Sequence, residues 1–218
     1  MYGVIFDCDG VLVDSEKWSC GAWLPVLHER GIQATLADIE VFIGRSDRAV
    51  LDHYRQLSGV PLDPQVLLPE KEQQYFDLAR GRLQTFTGLA PTLQNLQERQ
   101  VPMAVASSGS PAKIRFSLEQ TGLLDFFPHL CSAVEVSRGK PAPDLFLLAA
   151  ERLGLAPERC AVIEDSVPGI EAANAAGMLS IGFVSSHPQQ ILQQAGADRL
   201  LSHYGDLPAQ LAEAGFLD

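Results

Sequence analysis

Residues 2–15, YGVIFDCDGVLVDS, combine a short apolar run with two aspartates that lie one residue apart. The apolar run is typical of a buried strand, and Asp7 and Asp9 stand where that strand ends. Side chains two residues apart on a strand point to the same side, so both carboxylates can flank one reacting centre if the extended backbone continues through Cys8. Because a chain with fourteen aspartates also produces such pairs by chance, their meaning depends on the rest of the sequence.

The composition is that of an ordinary globular protein, with 218 residues of which 46% are hydrophobic and 20% are charged. This length suits one domain, or a core domain that carries a smaller insertion. The net charge of −11 argues against nucleic acid and anionic membranes as partners, because affinity for polyanions comes largely from Lys and Arg. We therefore expect a small-molecule partner and a monomer, although the sequence does not fix the oligomeric state.

Two features indicate the compartment. No apolar run approaches the roughly 18 to 20 residues that span a bilayer, and the first residues lack the basic and long apolar regions of a signal peptide. Cys8, Cys20, Cys131 and Cys160 are scattered without C-x-x-C spacing, so they are predicted to be reduced and mostly buried thiols. We expect the protein in the cytosol.

The pattern of apolar residues divides the chain into a helical block and an alternating block. About seventy residues after Ser15 have helical spacing and little strand character, with helices predicted near 18–27, 36–43, 49–57 and 64–83. From Gly88 onward, helices (90–98, 111–120, 143–153 and 168–176) alternate with short apolar strands (103–107, 130–133, 160–164 and 179–184). This alternation predicts an α/β fold with a parallel sheet covered on both faces, to which the strand at residues 2–7 also belongs. The helical block is then an insertion after the first strand.

Polar residues follow the predicted strands, at the edge of a parallel sheet where ligands bind. Ser107, Ser108 and Gly109 follow one strand, and Glu164 and Asp165 follow another. The Ser107 turn continues into Ser-Pro at the start of a helix, which offers backbone N–H groups and a hydroxyl to an anion. The serine at 166 precedes Val-Pro and is also a good helix N-cap, whatever the function.

This set of residues suits a phosphate ester. A carboxylate that approaches a phosphate dianion meets two unit repulsions, each about 4 kcal/mol at 4 Å and an effective dielectric of 20, so cations must be present. Asp7, Glu164 and Asp165 provide the hard oxygen ligands that Mg²⁺ prefers. Lys140, in RGKPAPD, would supply a second positive charge. A lysine is usually a solvated surface residue, so only this context marks it.

Four motifs carry a resemblance to a known family: DCDGVLVDS (7–15), VASSG (105–109), RGKPAPD (138–144) and VIEDSVPGIEAANAAGM (162–178). Their order and spacing resemble the haloacid dehalogenase superfamily, and within it the β-phosphoglucomutase-like and sugar-phosphatase group. The first and last motifs are specific when found together, whereas the serine motif alone is weak. The likeness covers the chain nearly end to end.

The resemblance implies a role for each motif residue. Asp7 would be the nucleophile that forms an aspartyl-phosphate, and Asp9 the general acid and base. Ser107 and Lys140 would hold the phosphoryl oxygens. Mg²⁺ would be bound by Asp7, by the main-chain carbonyl of Asp9 and by Asp165, with Glu164 acting directly or through water.

The family fold implies a Rossmann-like core at residues 1–15 and 88–218, with a small all-helical cap at 16–87. Closure of a cap excludes water from the transfer step and selects the leaving group. In FIGRSDRAV (42–50) the resemblance marks Gly44, Arg45 and Arg48 as part of a substrate-specificity loop, beside Ser108 and Gly109 in the core. β-Phosphoglucomutases carry an arginine where this chain has Asp47, and a histidine where it has Ser19, which favours hydrolysis over the mutase reaction.

Several alternatives remain beside a Mg²⁺-dependent phosphatase of a sugar or sugar-acid phosphate. A β-phosphoglucomutase-type phosphomutase is the main one, and a non-catalytic phosphate-binding protein is another. Haloacid dehalogenases and phosphonoacetaldehyde hydrolases lack the second aspartate of the first motif, so Asp9 argues against both. Receiver domains also gather acids, a hydroxyl and a lysine around Mg²⁺, but they are shorter and have no insertion after the first strand.

Overall fold

A computed structural model describes residues 1–43 and 46–217 of the chain. The chain divides into two compact units, one formed by Met1–Asp14 with Gln84–Asp218 and the other by Ser15–Leu83. We call them the core unit and the helical unit. Among the described helices, none combines the length and the apolar character needed to cross a lipid bilayer.

The strands all belong to the core unit. They are β1 (Gly3–Phe6), β2 (Val13–Asp14), β3 (Gln84–Thr85), β4 (Met103–Ser107), β5 (His129–Ser132), β6 (Cys160–Glu164), β7 (Leu179–Phe183) and β8 (Arg199–Leu201). Six of the described strands form a parallel sheet in the order β5-β4-β1-β6-β7-β8. Strands β1, β4 and β6 are buried along their whole length, as expected for a parallel sheet covered on both faces. The α/β prediction is confirmed.

The helices divide between the two units, with the first five in the helical unit and the others in the core unit. They are α1 (Glu16–Gly21), α2 (Trp23–His28), α3 (Leu36–Glu40), α4 (Asp47–Ser58), α5 (Pro64–Ala79), α6 (Leu89–Glu98), α7 (Pro111–Thr121), α8 (Asp144–Leu153), α9 (Val167–Ala175), α10 (Gln189–Gln194) and α11 (Leu207–Glu213). Short 3-10 turns lie at Leu124–Phe126, Ala133–Glu135, Pro157–Arg159 and Tyr204–Asp206.

The core unit buries apolar residues between its sheet and the flanking helices. Helix α8 packs on β4, β5 and β1, while α9 packs on β6 and β7. Small residues, such as Ala104, Ala149 and Ala173, let these helices approach the sheet closely. Three of the four cysteines are buried in this unit, and all four are free thiols, as predicted.

The helical unit has an apolar core of its own, which includes Trp23, Leu27, Leu51 and Leu67. The sequence pattern predicted one helical stretch over 18–27, but the structure breaks it at Ala22 into α1 and α2. Pro25 has no N–H to donate to the carbonyl four residues earlier, which weakens a continuous helix at this point.

A two-stranded antiparallel ribbon lies where the chain leaves and re-enters the core unit. Strands β2 and β3 pair Val13 with Thr85 and Asp14 with Gln84. The ribbon therefore holds together the two ends of the segment that forms the helical unit. Two residues per strand are too few for a recognisable alternating pattern, and the sequence did not predict this pairing.

Candidate active site

The carboxyl ends of β1, β4 and β6 lie side by side in the sheet. Phe6 is in register with Val105 of β4 and with Ile163 of β6, and the Asp7 amide donates to the Ile163 carbonyl at 3.0 Å. The residues that follow these strands therefore emerge at one edge of the sheet, as the parallel arrangement predicts. This edge belongs entirely to the core unit.

The predicted lysine lies between two of the predicted acids. The ammonium of Lys140 is 2.6 Å from Asp7 Oδ1 and 2.7 Å from Glu164 Oε1, and it also donates to the Ala106 carbonyl at 3.2 Å. The Lys140 side chain is only 5% exposed, and both acids are buried. The structure thus brings together a cation and two carboxylates that are far apart in the sequence.

Two buried carboxylates share this single ammonium, and their surroundings shift the pKa values of Asp7 and Lys140. Burial raises the pKa of Asp7 to about 7; the attraction of Lys140 opposes this shift, and the charge of Glu164 adds to it. Burial by itself would lower the pKa of Lys140, but the two carboxylates outweigh it and raise that pKa above its ordinary value. Lys140 therefore stays charged beside Asp7.

Glu164, which was predicted to act on Mg²⁺ directly or through water, accepts hydrogen bonds from protein donors at both of its oxygens. One of its oxygens accepts from Lys140, and the other accepts from the Ser166 amide at 2.7 Å and the Ser166 hydroxyl at 2.9 Å. Glu164 is therefore a counter-ion of Lys140, and its predicted role at the metal stays a prediction. Ser166 also caps α9 by accepting from the Gly169 amide, so it has two structural roles.

Asp9 has a cationic partner that the sequence analysis did not identify. Lys113, in the first turn of α7, places its ammonium 2.9 Å from Asp9 Oδ2. The two side chains are 12% and 20% exposed, so the ion pair is largely shielded from solvent. A lysine three residues after the N-cap of the helix that follows the serine motif was a signal that could have been used.

Asp165 is held against the first motif. A Cβ atom added to Gly10, whose φ is +73°, would lie 2.1 Å from Asp165 Oδ2, so only glycine leaves room for this carboxylate. The Ser185 hydroxyl is 2.6 Å from the Gly10 carbonyl and 3.2 Å from Asp165 Oδ2. His187 Nδ1 lies 3.0 Å from the Asp165 carbonyl. Neither Ser185 nor His187 was predicted, although both follow β7 at the same sheet edge.

The serine motif forms a turn at the end of β4. Ser107 is buried, and its hydroxyl accepts from the Gly109 amide at 3.1 Å. Ser108 is exposed, and Ser110 caps α7 by accepting from the Lys113 amide at 3.1 Å. The predicted anion-binding elements, a hydroxyl and the amino end of a helix, therefore lie beside the carboxylates.

The donor chemistry at this edge fits Mg²⁺, with carboxylate oxygens from Asp7 and Asp165 and the main-chain carbonyl of Asp9. Within the described part of the chain, no group of three or more His, Cys, Asp or Glu side chains is arranged to hold a metal. Magnesium sites need fewer, because this ion typically binds one or two carboxylates together with water and substrate phosphate. The close approach of Asp165 to Gly10 is the observation that supports such a site.

The predicted specificity loop lies in the helical unit. Gly44 and Arg45 lie outside the described residues, and Arg48 is exposed on α4. Asp47, which stands where mutases carry an arginine, forms an ion pair of 2.9 Å with the buried Lys71. Lys71 also donates to the Ser19 hydroxyl at 3.1 Å. The two positions that depart from the mutase pattern are therefore joined through one lysine.

Comparison with known proteins shows the family. A model of haloacid dehalogenase-like hydrolases matches residues 1–177. The chain belongs to the haloacid dehalogenase-like hydrolase family, which confirms the resemblance inferred from the four motifs. Relatives named as phosphatases agree with its prediction as a phosphoric monoester hydrolase.

Three curated relatives illustrate the range of the family. The chain is 34% identical over 176 residues to the fructose-1-phosphate phosphatase YqaB of Escherichia coli (strain K12), covering 81% of this chain and 93% of that protein. It is 29% identical to the β-phosphoglucomutase of Bacillus subtilis (strain 168), covering 97% and 93%. It is 31% identical to the chloroplastic protein SUPPRESSOR OF QUENCHING 1 of Arabidopsis thaliana, covering 94% of this chain but only 20% of that much longer protein.

A solved structure is also similar over the whole chain. The crystal structure of a HAD family hydrolase from Deinococcus radiodurans R1, with bound phosphate and sodium, has a TM-score of 0.77 and 35% sequence identity. The match covers 100% of this chain and 97% of that one. The fold is therefore that of the family.

Proposed function

We propose that this chain is a Mg²⁺-dependent phosphatase that hydrolyses a small sugar or sugar-acid phosphate through an aspartyl-phosphate intermediate. The observation that carries the proposal is the position of the Lys140 ammonium, 2.6 Å from Asp7 and 2.7 Å from Glu164, at the end of β1. A buried carboxylate beside a fixed cation can approach a phosphate dianion, whereas an isolated carboxylate is repelled.

The proposed reaction has two steps. In the first, an oxygen of Asp7 attacks the phosphorus, the bond between phosphorus and the ester oxygen breaks, and protonated Asp9 gives its proton to the departing oxygen. In the second, water attacks the phosphorus and gives a proton to the Asp9 carboxylate, and the bond between phosphorus and Asp7 breaks. Inorganic phosphate leaves, and both aspartates return to their starting states.

Positive charge and N–H groups would stabilise the transferring phosphoryl group. Two unit repulsions oppose the approach of Asp7 to the phosphate by roughly 8 kcal/mol, and the charge of Lys140 offsets part of this energy. Asp7, Asp165 and the carbonyl of Asp9 would hold Mg²⁺, which supplies Lewis-acid stabilisation of phosphoryl oxygens when bound. The Ser107 hydroxyl and the amino end of α7 would seat the remaining oxygens.

The names of the relatives and the helical unit support the substrate class. Relatives are named as a fructose-1-phosphate phosphatase and a β-phosphoglucomutase, which points to a phosphorylated sugar. We propose that the helical unit is the family's cap, which excludes water during transfer and selects the leaving group. Arg48 and the undescribed Gly44 and Arg45 would belong to its specificity loop.

A phosphomutase is the second candidate, because the B. subtilis β-phosphoglucomutase matches nearly the whole chain. One observation favours hydrolysis. Asp47 stands at the position of the mutase arginine, and it is engaged by Lys71 at 2.9 Å, so this position presents an acid rather than a cation. A cation there would be needed to hold a second phosphate.

The proposal is tested with p-nitrophenyl phosphate and a panel of sugar phosphates in the presence of Mg²⁺. We expect release of inorganic phosphate from the wild type and loss of turnover in Asp7→Asn, whose circular dichroism should stay that of a folded protein. An active Asp7→Asn variant would rule out the aspartyl-phosphate route. Conversion of β-glucose 1-phosphate to the 6-phosphate without phosphate release would instead support the mutase reaction.

A further inference from the structure

The ion pair between Lys113 and Asp9 is a polar contact at the site that neither the four motifs nor the proposed roles explain. Its two members are 104 residues apart in the sequence, and their charged atoms are 2.9 Å apart. The side chains of Lys113 and Asp9 are 12% and 20% exposed. The pair is therefore stronger than an ion pair on the solvated surface, which typically contributes little to stability.

The stem of Lys113 is supported by the serine turn. A Cβ atom added to Gly109 would lie 3.4 Å from Lys113 Cδ, so the aliphatic chain passes over the backbone of this turn. The backbone amide of Lys113 donates to the N-cap hydroxyl of Ser110, and the Gly109 carbonyl accepts from Ser132 at 2.5 Å. The base of the lysine is therefore fixed by the element that would seat the phosphate.

From this geometry we propose that Lys113 is a positioning residue: its ammonium donates to Oδ2 of Asp9 and so orients the carboxyl group, whose other oxygen, Oδ1, carries the proton that goes to the leaving oxygen. The inference rests on the proposed function of Asp9. In the first step, the bond between phosphorus and the ester oxygen breaks while the Asp9 proton moves to that oxygen. A misplacement of the donor by about 1 Å can cost on the order of 100-fold in rate.

The chemistry of the leaving group separates this role from phosphate binding. An alkoxide that leaves a sugar phosphate needs a proton, whereas p-nitrophenolate is stable enough to leave without one. Loss of Asp9 positioning should therefore slow the sugar phosphate selectively. Loss of a phosphate-binding cation, or a general structural defect, should slow both substrates alike.

The experiment compares kcat/KM for two substrates in variants of the full chain with Mg²⁺. The substrates are p-nitrophenyl phosphate and the sugar phosphate with the highest wild-type kcat/KM in the panel. For Lys113→Met we expect a loss of roughly 10- to 100-fold on the sugar phosphate and less than about 3-fold on the aryl ester. Lys113→Arg, which keeps the charge, should recover most of the sugar-phosphate activity.

Two further variants serve as controls. Arg115→Met removes a charge from the same helix at a residue that is 60% exposed and paired with Glu119, and it should leave both substrates unaffected. In an Asp9→Asn background, adding Lys113→Met should change the sugar-phosphate rate by less than about 2-fold, because the group to be positioned is already lost.

The outcomes distinguish this inference from the proposed function. Equal losses on both substrates in Lys113→Met, or no loss on either, would overturn the positioning role while leaving the phosphatase proposal intact. A full additional loss in the Asp9→Asn background would also overturn it. Activity in Asp7→Asn would instead overturn the proposed function itself, whatever Lys113 does.

Discussion

At the scale of single residues, the charge balance around Lys140 defines the chemistry. One ammonium contacts two buried carboxylates, and Glu164 also accepts two hydrogen bonds from Ser166. Burial raises the pKa of Asp7 to about 7, because removal from water disfavours the charged form of this carboxyl. Asp7, the proposed nucleophile, is therefore an anion that its surroundings stabilise only weakly, which favours its reaction with an electrophile.

We expect Lys140→Met to destabilise the fold, because it leaves two carboxylates buried without a counter-ion. Removal of one partner from a buried ion pair typically costs about 3 to 5 kcal/mol. The loss should be smaller at low pH, where the carboxyls can take up protons. Urea denaturation in EDTA at about pH 5 and pH 8 measures both effects, and a free energy of unfolding equal to that of the wild type at pH 8 would contradict this account.

The raised pKa of Asp7 also predicts how stability depends on pH. Between pH 3.8, the ordinary pKa of an aspartate, and about pH 7, the folded protein holds a proton on Asp7 that the unfolded chain has lost. Its stabilising contribution is therefore complete below about pH 4 and is lost as pH rises towards 7. In EDTA, Asp7→Asn should gain stability relative to the wild type from pH 5 to 7 and then level off.

The exposed Asp125 provides the matched control for this pH series. Asp125→Asn should leave the pH dependence of the unfolding free energy unchanged from pH 5 to 8. If the difference between Asp7→Asn and the wild type stays constant over the same range, the Asp7 carboxyl is not perturbed as described.

The residues that sequence reasoning found and missed differ in a physical way. The nearness of Asp7, Ser107 and Lys140 could be predicted, because Asp7 and Ser107 stand at the ends of predicted strands and the proposed phosphate chemistry requires a cation beside them. Lys113 and Ser185 were not predicted, because their contacts with other site residues depend on distances that the folded backbone sets. The contacts of Glu164 with Lys140 and Ser166 were not predicted, since the sequence does not show which donors surround its two oxygens.

At the scale of elements, the first turn of α9 supports the end of β6. A Cβ atom added to Gly169 would lie 1.9 Å from Glu164 Oε1, so the carboxylate rests directly on the helix backbone. The same turn contributes the Ser166 donors that hold this carboxylate. Strand, helix and Lys140 are therefore coupled through one side chain.

We expect Gly169→Ala to reduce stability and activity, although alanine usually stabilises a helix relative to glycine. The added methyl group would displace a carboxylate that three hydrogen bonds hold, and overpacking of this kind typically costs about 1 to 3 kcal/mol. Displaced Glu164 would also release Lys140, so the rate with p-nitrophenyl phosphate should fall at least about 10-fold. Gly205→Ala, where nothing lies within 4 Å of the added atom, is the control and should be tolerated.

Elements with strong local signals were predicted well, whereas short ones were not. The strands Met103–Ser107 and Cys160–Glu164 have the predicted bounds because apolar runs flanked by turn residues define both ends. The helix predicted at 64–83 ends at Ala79, since Gly81 adopts a φ of +67° soon after it. The β2 and β3 ribbon and the last strand, Arg199–Leu201, have too few residues to show a period. The strand order depends on chain crossovers that no local pattern encodes.

At the scale of the whole molecule, the chain forms two units that each bury an apolar core. The helical unit is the smaller, and small domains bury a lower fraction of their surface when they fold. The segment that forms the helical unit leaves and re-enters the core unit at the β2 and β3 ribbon, so this ribbon joins the two parts of the core unit directly. This arrangement allows the two units to lose structure at different denaturant concentrations.

The cysteines report on each unit separately, because Cys20 lies in the helical unit and Cys131 and Cys160 lie in the core unit. Burial raises the pKa of Cys20 to about 12 and that of Cys160 to about 11, so native thiols should react with N-ethylmaleimide very slowly at pH 8. Along a urea series, pulse labelling followed by peptide mass spectrometry should detect Cys20 at lower urea than Cys131 and Cys160. Labelling of all four thiols without urea would contradict their burial, and a shared midpoint would show that both units unfold as one cooperative structure.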